Sequence, residues 1–327
     1  MVQVWAPDGV GEIVAGTDLA ALLLTAVDAS GEPLADGDIV VITSKVVSKA
    51  EGRALRASRD EALPGQTRRI VARRGPTRIV RNLLGLTMAA AGIDASNVEA
   101  GTILVLPEDP DATARSVRAA IAERTGTRVG VIITDTAGRA WRDGQTDIAI
   151  GAAGITVLES FAGRVDGYGN PLAVTAPAVA DEIASAAELA QGKLGHRPFA
   201  VLRGRDDLVL PADQDGTGAA TLIRPEGADL FGYGAREAVV RALKGDPVDQ
   251  RPFGAPAGLE DFLDALDELG IKPVSHTPPE DLTPGSSVEV VLPGEVDVAS
   301  LAPFLFAFGW KVNRFTDACH HASPQTP

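Results

Sequence analysis

The stretch ITDTAGRAWRDGQTD at residues 133–147 continues an apolar run, RVGVII, at residues 128–133. This run is short, β-branched and bounded by turn residues, so it predicts a buried strand. Asp135 would then lie where the strand leaves the core, a common position for ligands in α/β sheets. Its carboxylate can hold a divalent cation, and the hydroxyl or carbonyl oxygen of Thr136 can add a second oxygen. A turn is the alternative interpretation, because Asp is a frequent turn residue.

Two arginines follow in the same stretch. Arg139 and Arg142 are three positions apart, so on one helical turn they would share a face. A guanidinium group can bind phosphate or carboxylate oxygens through two parallel hydrogen bonds. Together with the glycine-rich continuation at residues 144–154, the pair indicates a site for an anionic ligand. A solvated basic pair is the alternative interpretation.

The composition indicates a folded protein that does not depend on general anion binding. The chain has 327 residues, of which 45% are hydrophobic, enough for about two domains with real cores. Aromatic residues make up only 4%, so the cores should consist of small aliphatic side chains packed in layers of helix and sheet. The formal net charge of -14 argues against binding to nucleic acid or anionic membranes. An anionic substrate must therefore find a local basic pocket.

The termini and the single cysteine suggest a soluble cytoplasmic protein. Cys319 is the one cysteine in the sequence and cannot form an intrachain disulfide, which fits a reducing compartment. His320 and His321 follow it, but three adjacent residues near a Pro-rich end cannot converge on one metal ion, so a flexible C-terminal tail is predicted. The N-terminus lacks a basic region followed by an apolar segment, and no apolar run approaches membrane-spanning length.

The order of predicted elements is mixed. Helices are predicted at residues 18–29, 82–91, 111–124 and 178–189, and further strands at residues 38–43, 102–106, 155–158 and 198–203. These assignments follow apolar periodicity and capping residues. Neither a Walker loop nor a dinucleotide glycine fingerprint is present in the sequence. The pattern predicts mixed α and β structure.

Two further polar clusters follow predicted elements. The strand at residues 38–43 is followed by two Ser-Lys pairs at residues 44–49, whose hydroxyl and ammonium groups suit phosphate. An ordinary polar edge is the alternative. Asp94 and Asn97 lie three apart on a turn, so that a carboxylate and an amide can reach the same point. An Asx turn with a cap is the alternative there.

The composition changes near residue 245. Residues 245–327 hold 13 acidic and 4 basic side chains and seven of the 14 aromatic residues. We predict two domains, residues 1–244 and a small acidic α/β module at residues 245–327, joined by a Pro- and Gly-rich linker at residues 245–258. Within the module, a helix is predicted at residues 259–269 and a strand at residues 287–292. The apolar segment at residues 301–310 is predicted to lie in the core, and an interface is the alternative.

Four motifs occur in a fixed order: TSKVVSK at residues 43–49, AGIDASN at 91–97, LPEDPDA at 106–112 and the stretch around Asp135. With these motifs the chain resembles the coenzyme F420-0:L-glutamate ligase family, over about residues 9–243. The resemblance implies an acid–amino-acid ligase that uses GTP to join L-glutamate to the lactyl carboxylate of a deazaflavin coenzyme precursor. It further implies the addition of γ-linked glutamates, dependence on Mg²⁺ or Mn²⁺ at two sites, and stimulation by K⁺.

The resemblance also implies roles for particular residues. Nucleotide contacts are expected from Val10, Gly11, Glu12, Ile13, Ser44, Lys49 and Asn97. Asp94 and Asp135 are expected to share one divalent metal, Thr136 to bind a second, and Gln191 is the candidate for the remaining ligand. From the chemistry of their charged groups, and not from the resemblance, Lys49, Arg139 and Arg142 would act on the phosphates in catalysis. The family further implies an α+β fold with a mixed sheet, in an intertwined homodimer.

The chemistry of amide formation agrees with this assignment. A carboxylate must be activated before an amine can attack it in water. Phosphoryl transfer to the carboxylate activates it, and the enzyme promotes this transfer by positioning the reactants and neutralising charge.

Two-domain members of the family also carry a flavin-dependent reductase domain of about two hundred residues. The 83 residues at 245–327 are too few for that domain, so ligation without reduction is expected. A metal-dependent phosphohydrolase or kinase, and a non-catalytic GTP-binding regulatory protein, are the alternatives.

Overall fold

The computed structural model describes residues 1–278, 288–316 and 318–325. The chain divides into two compact units. Unit 1 comprises Met1–Ile70 and Thr77–Ile223, and unit 2 comprises Val71–Pro76 and Arg224–Pro327. The predicted α+β class is confirmed. The domain boundary predicted after residue 244 stays a prediction, because the presence of two compact units does not show which part of the chain folds alone.

Unit 1 contains helices on a mixed sheet. Its helices are α1 (Leu19–Ala29), α2 (Ser44–Ala50), α3 (Arg59–Ala62), α4 (Pro110–Thr125) and α5 (Val179–Gln191). Its strands are β1 (Gln3–Trp5), β2 (Ile39–Thr43), β3 (Ala54–Arg56), β4 (Thr67–Arg74, which continues past Ile70 into unit 2), β5 (Thr77–Asn82), β6 (Thr87–Ala89), β7 (Thr102–Leu104), β8 (Gly130–Arg139), β9 (Arg142–Ala153), β10 (Arg164–Val165), β11 (Pro171–Leu172) and β12 (Phe199–Arg203).

The central sheet has five strands in the order β1-β12-β2-β8-β9. β2 and β8 are parallel, and the other neighbours are antiparallel. Because successive side chains of a strand point to opposite faces, the apolar runs in these strands feed two cores. Val40 and Ile133 pack with α1 and α4 on one face, whereas Ile39 and Ile132 pack with α5 on the other.

Helix boundaries follow from capping residues. Asp18 accepts a hydrogen bond from the backbone N–H of Ala21 at the start of α1. Asp109 does the same for Ala112 at the start of α4, and Gly126, in the left-handed conformation, ends that helix. Such caps satisfy backbone groups that the helix leaves unpaired. The predicted helices at residues 18–29, 111–124 and 178–189 and strands at 38–43, 102–106 and 198–203 are confirmed, with ends shifted by one or two residues.

The helix predicted at residues 82–91 is wrong. The chain there forms the end of β5, a turn, β6 and a short 3₁₀ turn at Ala90–Gly92. The Asn82 side chain accepts a hydrogen bond from the backbone N–H of Leu86 at 3.0 Å and so closes the turn. Ala90 and Ala91 have positive φ angles of 48° and 58°, which an α-helix excludes. Local tertiary contacts therefore override the helix propensity of the Leu and Ala residues.

The segment around Asp135 also differs from expectation. β8 does not end at Asp135 but continues to Arg139, and a hairpin pairs it with the long strand β9. Arg139 and Arg142 face each other across the turn of this hairpin, so the helical turn predicted for them is wrong. The strand predicted at residues 155–158 is wrong as well, since Ile155 makes only an isolated bridge with Val209.

Unit 2 has its own sheet and core. Its helices are α6 (Ala235–Lys244), α7 (Leu259–Glu268) and α8 (Val298–Phe308), and its strands are β13 (Ser275–His276), β14 (Val290–Pro293), β15 (Trp310–Phe315) and β16 (Cys319–Pro324). The sheet order is β13-β14-β16-β15. The Phe262 and Trp310 rings stack at 4.0 Å between centroids in a core with Leu305. The helix predicted at residues 259–269 and the core position of the segment at 301–310 are confirmed.

Two predictions for this region are wrong. The supposed flexible tail at Cys319, His320 and His321 is strand β16, which pairs with both β14 and β15. The supposed linker at residues 245–258 is part of unit 2: its Ala257 carbonyl accepts a hydrogen bond from the Trp310 indole N–H at 2.9 Å. Of the strand predicted at residues 287–292, Ser287 lies outside the described residues, and β14 covers Val290–Pro293.

No helix in the described ranges is long and apolar enough to cross a membrane.

Truncation after residue 244 is expected to be more damaging than truncation after residue 223. A chain that ends at residue 223 lacks α6. A chain that ends at residue 244 keeps α6 but lacks α8, against which α6 packs. That chain also lacks the buried Asp249, which pairs with Arg241 at 3.3 Å and accepts a hydrogen bond from Tyr233 at 3.1 Å. Exposed apolar surface promotes association. Size-exclusion chromatography should show aggregation of the 1–244 chain and a soluble 1–223 chain; the reverse order would contradict this assignment.

Candidate functional site

A cavity of about 720 Å³ opens in unit 1. All residues predicted to contact nucleotide or metal line it, although they come from distant parts of the sequence. They are Val10, Gly11, Glu12, Ile13, Ser44, Lys49, Asp94, Asn97, Asp135, Thr136 and Gln191. The structure thus brings these predicted residues together. Whether each binds its predicted ligand stays a prediction.

The central sheet brings Ser44 and Asp135 next to each other. β2 and β8 are parallel neighbours whose pairing ends at Thr43 and Thr134, so the residues that follow lie side by side. The Ser44 hydroxyl, at the start of α2, donates a hydrogen bond to Asp135 Oδ1 at 2.9 Å. A bulge interrupts the β8–β9 pairing between Ile133 and Thr134, and bulges bend and twist a strand locally. Thr134, Asp135 and Thr136 all line the cavity.

Asp135 is a carboxyl group in an unfavourable place for negative charge. Burial, together with the nearby carboxylates of Asp147 and Asp94, raises its pKa to about 7, although hydrogen bonds from Ser44 and the backbone of Thr136 oppose the shift. A cation next to Asp135 would favour its ionised form. The carboxyl group is therefore suited to binding a metal ion.

Asp94 is already paired with a cation of the protein. Lys45 Nζ lies 2.7 Å from Asp94 Oδ2 and also donates to Ser96 Oγ at 2.7 Å. Burial acts against ionisation of Asp94, but hydrogen bonds from Lys45 and from the backbone and hydroxyl of Ser96 hold its pKa below the usual value. Asn97, in the same turn, has a φ of 56°, a conformation that Asn adopts more readily than most residues. The Asx-type turn considered from the sequence is thus present around Asp94, at the edge of the cavity.

Thr136 is oriented by a carboxylate that the sequence argument passed over. Its hydroxyl donates to Asp147 Oδ1 at 2.8 Å, and the Thr134 hydroxyl donates to Asp147 Oδ2 at 3.0 Å. Asp147 is only 3% exposed and also lines the cavity. It stands at the end of the stretch quoted first, but only the pairing of β8 with β9 places it opposite Thr136.

Gln191, the last residue of α5, is 3% exposed. In the described part of the chain, neither its side-chain oxygen nor its nitrogen has a hydrogen-bond partner. A buried polar group without a partner costs roughly 1–3 kcal/mol, so such groups normally have a function or an unseen partner. A metal ion bound by the amide oxygen would give that oxygen a partner, and an acceptor group of a ligand in the cavity would do so for the amide nitrogen.

Basic side chains line the cavity. They supply the local positive charge that an anionic substrate needs in a chain whose net charge is negative. Lys45 and Lys49 line the cavity from α2, and Lys193, His196 and Arg197 line it from the loop between α5 and β12. The three residues of that loop were not predicted from the sequence. Their position directly after Gln191, a predicted site residue, could have indicated that they line the same cavity.

Arg139 and Arg142 do not line this cavity. Both are exposed at the turn of the β8–β9 hairpin, and Arg139 Nη2 donates to the Asp143 carbonyl at 2.8 Å. Their catalytic role stays a prediction, which their position outside the cavity does not support.

Within the described residues, no group of three or more His, Cys, Asp or Glu side chains is arranged to hold a metal ion. The oxygen donors at the cavity are instead mixed: carboxylates of Asp94 and Asp135, the hydroxyl of Thr136 and the amide of Gln191. Oxygen donors of this kind suit hard cations such as Mg²⁺ and Mn²⁺.

Comparison with known proteins identifies the family of the chain. Residues 9–65 and 61–204 match the family described as F420-0:Gamma-glutamyl ligase. The chain belongs to this family. Family membership makes the protein an enzyme of the ligase class, and every predicted nucleotide and metal residue lies within the matched part.

Three relatives are each named Coenzyme F420:L-glutamate ligase. The protein from Methanothermobacter thermautotrophicus is 37% identical over 246 residues, covering 68% of this chain and 96% of the relative. The Archaeoglobus fulgidus protein is 41% identical over 225 residues, covering 62% and 88%. The Methanopyrus kandleri protein is 38% identical over 237 residues, covering 66% and 92%.

Proposed function

We propose that the protein joins L-glutamate to coenzyme F420-0 through an amide bond and uses GTP to activate the coenzyme carboxylate. Membership of the ligase family and the names of its relatives support the substrate class. The single observation that carries the proposal is the convergence of the predicted nucleotide and metal residues on one cavity of about 720 Å³. That volume lies in the range typical of small-molecule sites.

The proposed reaction has two steps. The γ-phosphoryl group of GTP passes to the lactyl carboxylate of F420-0, giving an acyl phosphate and GDP. The amine of L-glutamate then attacks the acyl carbon, and inorganic phosphate leaves as the amide forms. Phosphoryl transfer depends mainly on positioning and on neutralising charge. Lys49, Lys193 and Arg197 line the cavity and would neutralise phosphate charge in this proposal.

Mg²⁺ or Mn²⁺ is proposed to bind at the oxygen donors of the same cavity. Asp94 and Asp135 would hold one ion, and Thr136 and Gln191 would contribute to a second. The unpartnered amide of Gln191 and the buried carboxyl group of Asp135 fit this assignment. A divalent cation at this position would offset the negative charge of transferring phosphate. Stimulation by K⁺ is proposed from the family resemblance alone.

The decisive experiment combines purified protein, GTP, Mg²⁺ or Mn²⁺, L-glutamate and F420-0, and resolves the products by mass. Ligation predicts phosphate release that requires glutamate, together with a product one glutamyl residue heavier than F420-0. Phosphate release without glutamate would favour the phosphohydrolase or kinase alternative. GTP binding without turnover would favour a regulatory protein. Products with two or more added residues would show further γ-linked glutamylation.

A homodimer and a cytoplasmic location are part of the same proposal. The homodimer is what the family resemblance implies, and the location is the expectation from the single cysteine and from the apolar runs, which are too short to span a membrane. Light scattering of the purified protein tests the homodimer, and fractionation of cells that express the chain tests the location.

Lys49→Ala is expected to raise the apparent KM for GTP at least about tenfold, with a much smaller change in the KM for glutamate. The reason is that Lys49 lines the cavity and a lost charge-assisted contact costs roughly 1.5–3 kcal/mol. Steady-state kinetics with each substrate varied in turn measures both constants. Lys244→Ala is the matched control, since Lys244 is a surface lysine paired with Asp246 in unit 2. An unchanged KM for GTP in a folded Lys49 variant would exclude this role.

A further inference from the structure

Asp147 is the buried carboxylate of this cavity to which neither the motifs nor the proposed reaction gives a role. It lies on β9 directly opposite Thr136 on β8. Thr134 and Thr136 are two residues apart on β8, and their hydroxyls donate to different oxygens of the Asp147 carboxylate, at 3.0 Å and 2.8 Å. Asp147 therefore holds two hydroxyl groups at once.

The backbone of Asp147 is also held in place, by a hydrogen bond from α5. Its backbone carbonyl accepts a hydrogen bond from the Ser185 hydroxyl on α5 at 3.0 Å. The same hydroxyl contacts Thr146 Oγ1 at 2.7 Å. Asp147 is 3% exposed, and each oxygen of its carboxylate accepts a hydrogen bond from a β8 hydroxyl. The carboxylate is consequently a rigid acceptor aimed at the β8 hydroxyls.

A rigid acceptor fixes the direction of a hydroxyl group. A threonine hydroxyl has one hydrogen to donate and two lone pairs that accept. Because the Thr136 hydrogen is directed to Asp147, the lone pairs of its oxygen stay available to a positively charged ligand. Partners that orient a metal ligand in this way commonly change metal affinity by 10–100-fold when removed.

We propose that Asp147 is a positioning residue, which holds the Thr136 hydroxyl so that its oxygen faces a divalent cation in the cavity. This inference rests on the proposed function, in that it takes Thr136 as a ligand of that cation. Asp147 acts through Thr136 and not by contacting the cation itself. The two modes of action predict different results when both residues are changed.

The test is a double-mutant cycle on Mn²⁺ affinity, measured by electron paramagnetic resonance without nucleotide or other substrates. Asp147→Ala, which removes the acceptor of the Thr136 hydroxyl, and Thr136→Val are each expected to weaken Mn²⁺ binding at least about tenfold. The double variant is expected to bind no more weakly than Thr136→Val alone, because a residue acting through Thr136 has no effect once that hydroxyl is gone. Thr136→Ser, which keeps a hydroxyl, is expected to restore most of the affinity.

Thr134→Val is the matched control. It removes the other hydroxyl that Asp147 accepts and leaves Thr136 unchanged, so Mn²⁺ affinity should stay within about threefold. Additive losses in the double variant, or an unchanged affinity for Asp147→Ala, would overturn the proposal. If Asp147→Ala does not melt cooperatively, Asp147→Leu replaces it in the same cycle. Glutamate-dependent phosphate release by the unmodified protein is measured separately, so failure of the proposed function is distinguishable from failure of this inference.

Discussion

Replacement of Asp135 by asparagine is expected to reduce glutamate ligation by at least about a hundredfold while leaving the fold intact. Asparagine keeps the size of the side chain and can still accept the hydrogen bond from Ser44. It removes the negative charge that would face the cation, and one lost electrostatic contact in a transition state costs on the order of 3 kcal/mol. The measurement is the rate of amide formation, with GTP and metal at saturating concentrations.

Asp181→Asn is the matched control for this experiment. Asp181 accepts a hydrogen bond from the Ala149 N–H at 2.8 Å, and burial raises its pKa, but it does not line the cavity. Its replacement should leave ligation within about threefold. An Asp135→Asn variant that melts normally and retains activity within threefold would remove Asp135 from the site.

The second large effect is on stability. In the absence of divalent metal, the contribution of Asp135 to the free energy of unfolding is expected to fall as the pH rises from about 4 to about 7. The pKa of Asp135 is raised from 3.8 to about 7 in the folded protein. Between these values the unfolded chain loses the proton and the folded chain keeps it, so increasing pH favours unfolding. At about 1.4 kcal/mol per pKa unit, the contribution of Asp135 is at most about 4 kcal/mol.

Urea unfolding from pH 4 to pH 8 measures this effect, with a chelator present. Other carboxyl groups titrate in the same range, so the informative quantity is the difference between the unmodified protein and Asp135→Asn, which cannot titrate at this position. Mn²⁺ should reduce the loss of stability near pH 7, because it stabilises the ionised carboxylate. Parallel curves for the two proteins would show that Asp135 does not carry the shifted pKa.

Much of unit 1 could be predicted from local patterns. The apolar runs of β2, β8 and β12 identify buried strands because burial on both faces requires consecutive apolar residues. Asp18 and Asp109 mark the starts of α1 and α4 because the capping interaction involves residues only a few positions apart. The motifs around Ser44, Asp94 and Asp135 likewise indicated which segments form the site, and the cavity contains all three.

Local patterns failed where distant segments decide the conformation. Residues 82–91 have the composition of a helix, but turns and strand pairing take precedence there. Cys319 to His321 look like a polar tail, yet β14 and β15 provide hydrogen-bonding partners on both sides. A strand is stabilised by its neighbours, and those neighbours cannot be identified from the strand itself.

The sequence by itself determined the family, the mixed α and β class and most of the residues that line the cavity, because these depend on residue identity and short spacing. Only the tertiary structure decided that Asp147 accepts a hydrogen bond from the Thr136 hydroxyl and that Arg139 and Arg142 lie away from the cavity. It also decided that the Gln191 amide is buried without a hydrogen-bond partner among the described residues. Each of these depends on strand register, burial or the direction of a side chain. Such properties arise only when segments far apart in the chain pack together.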